Sequence, residues 1–258
     1  MECKRDRTGE ERLNNFGSKI VITGYRKYSD IDIYFPEYDW TAKHVQYNNF
    51  KKGNIKCPYE RRYLGKGYLG EGKYKMSENR KLKKEYKIWY SMLERCYDPK
   101  YQEKYTTYKG CSVEEYLLNF QHMGEWIENN YYEVSGEQMC LDKDILCKGN
   151  KVYSRDTCIF VPQRINLLFT KSDKSRGKNP IGATELPSGN YRVFCNNGNG
   201  KSVYLGTYST KEEGFQVYKE YKENLIKEVI DSYEGVIPEP HYSRLKTAMY
   251  NYEVEIDD

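Results

Sequence analysis

Histidine is scarce in this chain, with His44, His122 and His241 the only three in 258 residues. The eight cysteines (Cys3, Cys57, Cys96, Cys111, Cys140, Cys147, Cys158, Cys195) are scattered and include no CxxC pair. A structural zinc site needs four closely set nitrogen or sulfur ligands, so the sequence argues against one. No apolar run approaches the roughly 18 residues of a membrane span, and no secretory leader is recognisable. The expectation is a soluble, cytoplasmic protein with reduced thiols and no membrane partner.

Charge and tyrosine are plentiful. Charged residues make up 31% of the chain and there are 28 tyrosines, yet the formal net charge is only +4 because the signs are sorted into blocks. Residues 51–100 hold 15 Lys/Arg against 6 Asp/Glu, a net of +9. Residues 101–147 hold 3 against 9 (net −6), and residues 148–180 hold 8 against 2 (net +6). Two basic blocks around an acidic one point to a polyanionic partner. Tyrosine pairs an apolar ring with a polar tip, so these residues suit either half-buried positions or wet surfaces on which bases stack.

Along the chain, residues 1–13 lack periodicity and read as a loose arm. From Ser18 the pattern is β: Lys19-Ile20-Val21-Ile22, then Ile31 to Phe35 with alternate residues apolar, then Thr41 to Asn49. A curled sheet or small barrel is expected within residues 15–62. The string Gly65-Lys66-Gly67-Tyr68-Leu69-Gly70 matches GxGxxG, but no suitable strand precedes it and no helix start follows. It reads as a flexible basic connector rather than a dinucleotide site.

Leu82, Tyr86, Trp89, Leu93 and Cys96 recur at helical spacing beside a run of lysines. A second helix is expected from Ser112 to Asn129, with Ser112 as N-cap and Glu115 three residues on. Residues 138–170 read as strand, turn, strand and short helix from Pro162. A basic linker, residues 171–180, leads to three strands (181–186, 190–195, 202–207) and a helix (210–231).

The stretch Leu141-Asp142-Lys143-Asp144-Ile145, with Gly149-Asn150 and Ile159-Phe160-Val161-Pro162-Gln163 to Asn166, resembles the ββα-metal core of phage HNH endonucleases. That family resemblance extends upstream over Trp89 to Tyr97 and Tyr108 to Val113, so it covers about residues 60–168. It implies a phage or mobile-element protein. It also implies a Mg²⁺ or other divalent ion held by Asp142 and Asn166, with Lys143, Asp144 and Asn150 in the catalytic positions. Lys143 stands where the family has its histidine base. An ammonium, with an ordinary pKa of about 10.4, is a poor proton acceptor at neutral pH. Clamping of a phosphate by Lys143 and Arg164 is the plainer role for this element.

Residues 180–228, through Ile181-Gly182-Ala183-Thr184, Asn190-Tyr191-Arg192-Val193 and Val203-Tyr204-Leu205-Gly206-Thr207-Tyr208, resemble the AP2 domain. The resemblance implies a three-stranded sheet laid in the DNA major groove with a helix behind it. Thr184, Tyr191 or Arg192, and Lys201 or Tyr204 would then face DNA, assisted by Arg164, Lys171, Lys174 and Arg176.

The whole reads as an α+β protein: an N-terminal β-domain (15–62), a helical and ββα centre (80–170), an AP2-like module (180–232) and a C-terminal tail (233–258). The expected function is sequence-selective binding of double-stranded DNA, with metal-dependent cleavage as its enzymatic extension. The rival is a non-catalytic interaction protein that blocks a host nucleoprotein defence complex. The acidic block and the tail residues Glu253, Glu255, Asp257 and Asp258 speak for the rival.

Overall fold

The computed structural model describes residues 6–170 and 179–256. The chain divides into two units, residues 1–127 and 128–258, so the boundary falls inside the predicted central module. Both units mix helices with antiparallel sheets, an α+β arrangement.

The first unit begins with a four-stranded meander, β1 (Glu11–Leu13), β2 (Lys19–Lys27), β3 (Asp30–Phe35) and β4 (Trp40–Val45), in the order β1-β2-β3-β4. The alternation seen in the sequence places Ile20, Ile22, Ile31, Ile33 and Phe35 on one face. Helix α1 (Tyr47–Lys52) covers that face with Tyr47 and Phe50. Two expectations are corrected here. Residues 11–13 are not loose, because they pair with Lys19 to Val21 as an edge strand. The predicted strand from Thr41 stops at Val45 and the chain turns into α1, after a register irregularity with β3 and a left-handed His44 (φ 57°).

After the β5 (Ser77–Glu78) and β6 (Lys81–Leu82) hairpin come α2 (Lys84–Tyr97) and α3 (Pro99–Lys104). Asp98 caps α3 by accepting from the Lys100 and Tyr101 amides. Helix α2 buries Tyr86, Trp89, Leu93 and Cys96 of the predicted stripe, whereas Leu82, its first member, lies in β6 and is 50% exposed. The predicted helix from Ser112 is broken: Ser112–Val113 is extended (β7), followed by α4 (Glu115–Leu118) and α5 (Phe120–Asn130). The break sits at Asn119. Tyr68 N donates to Leu118 O at 3.1 Å and Phe120 N to Tyr68 O at 2.9 Å, so the Gly-rich segment pulls this stretch into an extended bridge. Asn119 Oδ1 then accepts from Gln121 N at 2.9 Å, which replaces Ser112 as the capping interaction.

The same segment is no flexible connector. A Cβ on Gly67 would lie 2.5 Å from Leu93 Cδ1 and 2.7 Å from the Trp89 ring, and one on Gly70 or Gly72 would strike Asn119 or Gln121. The Gln121 amide reads the backbone, donating to Leu69 O (3.2 Å) and Tyr74 O (3.0 Å) and accepting from Tyr74 N (2.9 Å). The glycines are there because helices α2 and α5 approach the backbone closely.

The second unit holds β8 (Met139–Asp142), β9 (Val152–Tyr153), β10 (Ile159–Pro162) and α6 (Gln163–Leu168). Strand β10 pairs antiparallel with β8, setting Ile159 opposite Asp142. The sheet β11 (Ala183–Glu185), β12 (Tyr191–Asn196) and β13 (Ser202–Tyr208) follows, in that order, and then the long helix α7 (Lys211–Asp231). Thr210 and Glu213 close a reciprocal capping box at its start. The N-terminal half of α7 packs Phe215 and Tyr218 against Ala183, Val193 and Cys195. Its C-terminal half packs Leu225, Ile226, Val229 and Ile230 against Ile159, Val161, Ile165 and Leu168. At 1.5 Å per residue α7 is about 30 Å long, enough to serve two cores. The predicted tail also folds: α8 (His241–Tyr250) adds Tyr242, Leu245 and Met249 to the second of these cores.

Replacing Gly67 with Ala should lower unfolding stability by about 1–3 kcal/mol through overpacking, whereas Lys66→Ala should stay within about 0.5 kcal/mol. Urea denaturation of both variants checks this. Equal midpoints would restore the flexible-connector reading.

Candidate nucleic-acid interface

The three-stranded sheet presents one face to α7 and leaves the other open. Alternation along β12 turns Val193 and Cys195 inward and Arg192, Phe194 and Asn196 outward. Register then assigns the partners. Thr184, Arg192 and Thr207 form one cross-strand row, Phe194 and Tyr204 the next, and Asn196 and Ser202 the third.

A bulge on β13 makes these rows possible. The register shifts between Val193 and Phe194, so Leu205 is inserted between Tyr204 and Gly206. Leu205 joins the partly buried apolar groups on the helix side, while Tyr204 and Thr207 share the outer face with their hydroxyls 2.9 Å apart. Gly206 adopts φ 131°, and a Cβ there would lie 2.7 Å from Tyr208 Oη, whose hydroxyl donates to Leu205 O at 2.8 Å. The bulge therefore needs glycine at its turn.

On the open face the Phe194 and Tyr204 rings meet at 5.4 Å between centroids, tilted by 51°. Tyr204 is 56% exposed, Arg192 and Thr207 are exposed as well, and Lys201 lies exposed just before β13. Of the residues predicted to face DNA, Arg192 and Tyr204 thus share a surface with Thr184. Tyr191 does not. It lies in register with Tyr208 on the side of Val193, where its Cβ approaches Gly214 of α7. Phe194 and Thr207 join the face without having been predicted there. Simple alternation from Val193 identifies Phe194, but Thr207 requires knowledge of the bulge.

Three strands spaced by about 4.8 Å give a face roughly 10 Å across, which matches a major groove about 12 Å wide. A guanidinium, three aliphatic hydroxyls, an amide and an aromatic pair supply both donors and acceptors for hydrogen bonding.

The ββα element is built differently. Asp142, at the end of β8, accepts from the Asp144 and Ile145 amides at 2.8 and 2.7 Å on one oxygen, which stops the strand and starts the turn. Lys143 is buried at 5% exposure. Its Nζ lies 3.0 Å from Asp144 Oδ2 and 5.9 Å from the centre of the Tyr153 ring. Asn150 Nδ2 donates to Lys143 O (2.6 Å) and Val152 O (2.7 Å), closing the loop. Asp142, Lys143, Asp144 and Asn150 are therefore brought together as a self-satisfied turn.

Asn166 and Arg164 stand on α6. The carbonyl of Asn166 accepts from the Phe169 amide and the Thr170 hydroxyl. Arg164 stands close to Tyr233, whose hydroxyl donates to Glu137 at 2.7 Å, and the buried Arg164 Nε has no hydrogen-bond partner among the described residues. Lys171, Lys174 and Arg176 lie outside the described residues.

A divalent ion is implied by the resemblance to the HNH core, but the donors fit it poorly. One Asp142 oxygen is already committed to two amides, and the Lys143 ammonium sits in the same turn. Among the described residues no group of three or more His, Cys, Asp or Glu side chains is arranged to hold a metal. Burial pushes the Asp142 carboxyl well above the usual carboxylate range, and Asp144 adds to the rise, while the two amides and Lys143 oppose it. The arrangement accounts for a rigid loop rather than for activation of water.

Nearby, a groove of about 820 Å³ is lined by Ile145, Lys148, Asp156, Arg244 and Glu255, among others. Its cations are occupied by the protein. Lys148 Nζ reaches Glu253 O at 2.8 Å and Glu255 at 3.2 Å, and Arg244 donates to Asp156 O at 2.8 Å. Glu255 is thus tied to Lys148 and does not form a free acidic tail; Asp257 and Asp258 lie outside the described residues.

Among the described residues, no helix is long and apolar enough to cross a membrane. No family model, curated protein or solved structure matches this chain.

A carboxyl with a raised folded-state pKa binds more protons in the native than in the unfolded chain, so its contribution to stability falls as pH climbs from the usual 3.8 through the raised value. Asp142→Asn keeps an acceptor for the two amides but removes the titration. Its stability should rise relative to wild type between about pH 4 and about pH 7 in urea titrations. A constant difference across that window would refute burial as the dominant influence on Asp142.

Proposed function

We propose that this protein binds double-stranded DNA sequence-selectively, laying the outer face of β11–β13 in the major groove, and does so without cutting. The supporting observation is the open sheet face: Arg192, Thr184 and Thr207 in one row, Phe194 and Tyr204 in the next, with α7 covering the opposite side. Arginine reads guanine through two parallel hydrogen bonds, and aromatic or methyl groups beside it contact thymine methyls. The side chains are held on strands rather than loops, so little ordering is needed on binding.

The resemblances to AP2 and HNH proteins agree with a phage or mobile-element origin and a DNA partner. Cleavage is not part of this reading, because Lys143 is an ion-paired ammonium where a base is needed and Asp142 is bonded to the backbone. A role for the ββα element in positioning the sheet fits its shared core with α7. The rival reading, blockade of a host nucleoprotein complex, keeps the exposed Glu253 and Glu255 in its favour, although Glu255 forms a surface ion pair with Lys148.

Selection from a randomised duplex pool should enrich a defined motif. Arg192→Ala should cost about 1–3 kcal/mol, roughly 5- to 150-fold in affinity, and relax the preference at one position. Tyr204→Ala should weaken binding by a similar order, while Gln216→Ala, exposed on α7, should leave it unchanged. Supercoiled plasmid should remain intact with magnesium or manganese. Relaxation of supercoils that depends on Asp142 would overturn the non-cutting reading, and equal affinity of wild type and Arg192→Ala would overturn the sheet as the reader.

A further inference from the structure

The first unit has a corner where exposed apolar side chains and cations meet on a rigid support. The turn between β1 and β2 is clamped to the segment after α1. Asn14 is buried, and its amide donates to Ile55 O (3.0 Å) and to Glu60, while its Oδ1 accepts from the Phe16 and Ser18 amides at 2.9 Å each. Asn15 N donates to Gly53 O at 2.9 Å and its side chain to Asn54 at 2.8 Å. Gly53, left-handed at φ 67°, leaves room for this contact, since a Cβ there would sit 2.7 Å from Asn15 Oδ1.

This clamp holds Phe16 out at 46% exposure beside Leu13 at 61%. Lys56 Nζ lies 5.4 Å and Arg62 Cζ 5.1 Å from the centre of the Phe16 ring. Arg12 donates to the carbonyl of Lys51, which brings the exposed Lys51 and Lys52 at the end of α1 to the same corner. Four exposed cations (Arg12, Lys51, Lys52 and Lys56) are therefore collected at the corner that carries the two apolar tips, while Arg62, largely buried and 3.5 Å from Glu60, backs the Phe16 ring. Glu60, the acid among them, is buried and spent on Asn14, the Cys57 amide and Arg62.

We infer that this corner is a second nucleic-acid contact, in which the four exposed cations take the phosphates of duplex DNA and Phe16 with Leu13 press as an apolar wedge against the sugars and base edges of the minor groove. The inference rests on the proposed duplex partner but on a different surface. Charge complementarity selects the occupant: a polyanion satisfies the four exposed cations together, and DNA-bending proteins pair basic side chains with apolar wedges in this way. Lys56 and Arg62 lie against the ring itself, so sinking Phe16 into hydrocarbon would strip them of water, whereas a phosphate-lined groove accepts ring and cations together. The clamp means that the wedge is formed before DNA arrives.

The test uses the full chain, a duplex of about 20 base pairs and a salt series. Replacing Lys51, Lys52 and Lys56 with Gln should weaken binding at least tenfold at low salt. It should also reduce the slope of log affinity against log salt by about 2–3, near 0.9 for each phosphate no longer neutralised. Phe16→Ala should weaken binding several-fold without changing the slope. All four positions are exposed, and urea midpoints equal to wild type show that the fold is kept. A wild-type slope in the triple variant, with affinity unchanged, overturns the inference while leaving the sheet reading intact. Weakened binding in the triple variant but not in Arg192→Ala supports this corner and overturns the sheet. Absence of duplex affinity in wild type, with binding to phosphatidylserine vesicles that the triple variant abolishes, overturns both in favour of a membrane surface.

Discussion

Helix α7 is the constraint on which the second unit depends. Its N-terminal half carries Phe215 and Tyr218 against the three-stranded sheet, and its C-terminal half carries Leu225, Ile226, Val229 and Ile230 against the ββα element. Each of these side chains contributes about 1.5–3 kcal/mol when fully buried, so neither sheet is stable on its own account. A two-stranded β8–β10 pair is too small to persist in water, and a three-stranded sheet needs a covered face. One helix supplies both covers. Because it occupies only the inner face of β11–β13, the opposite face is left for a ligand.

Buried charge in this protein serves shape, whereas exposed charge is left for recognition. Asp142 and Glu60 both accept backbone amides that fix turns, and Lys143 is paired inside its own loop. Such groups are costly to bury and are retained where every bond is satisfied. Arg192, Lys51, Lys52 and Lys56 have no comparable structural duty and stand at the surface. The distinction separates a phosphate-facing lysine from a loop-building one, although both read alike as letters.

Much of this architecture is legible in the sequence where periodicity is strong. Ile31, Ile33 and Phe35 announce a half-buried strand, and Tyr86, Trp89 and Leu93 a helix; both are found where expected. The departures have a common cause, since tertiary contacts override local pattern. Helix formation through Asn119 fails because Tyr68 pairs with its backbone, and the Gly-rich string is rigid because Trp89, Leu93 and Gln121 press on it. Strand Thr41 to Asn49 is cut short when the chain must turn to bring Phe50 over the sheet. At the candidate interface Arg192 and Tyr204 are readable from alternation alone. Tyr191 falls on the wrong side because its neighbour Arg192 already claims the outer face, and Thr207 is hidden by a single inserted residue, Leu205.

On the proposed reading the two surfaces would divide the work of recognition in the way that DNA binding demands. Base contacts discriminate but bring little long-range attraction, while phosphate contacts supply affinity and carry no sequence information. The open sheet face is rich in hydroxyl, amide and aromatic groups and sparing in charge, with Arg192 as the cation on its strands and Lys201 at its margin. A surface of that composition discriminates well and attracts weakly. The corner around Phe16 has the opposite balance, four exposed cations beside two apolar tips. Joined in one chain, two such contacts would make each other's encounter with a duplex intramolecular, so modest separate affinities would multiply through effective concentration. The sorting of charge along the sequence, with its strongly basic stretch over residues 51–100 outside the sheet module, is what keeping attraction and discrimination on different surfaces would require.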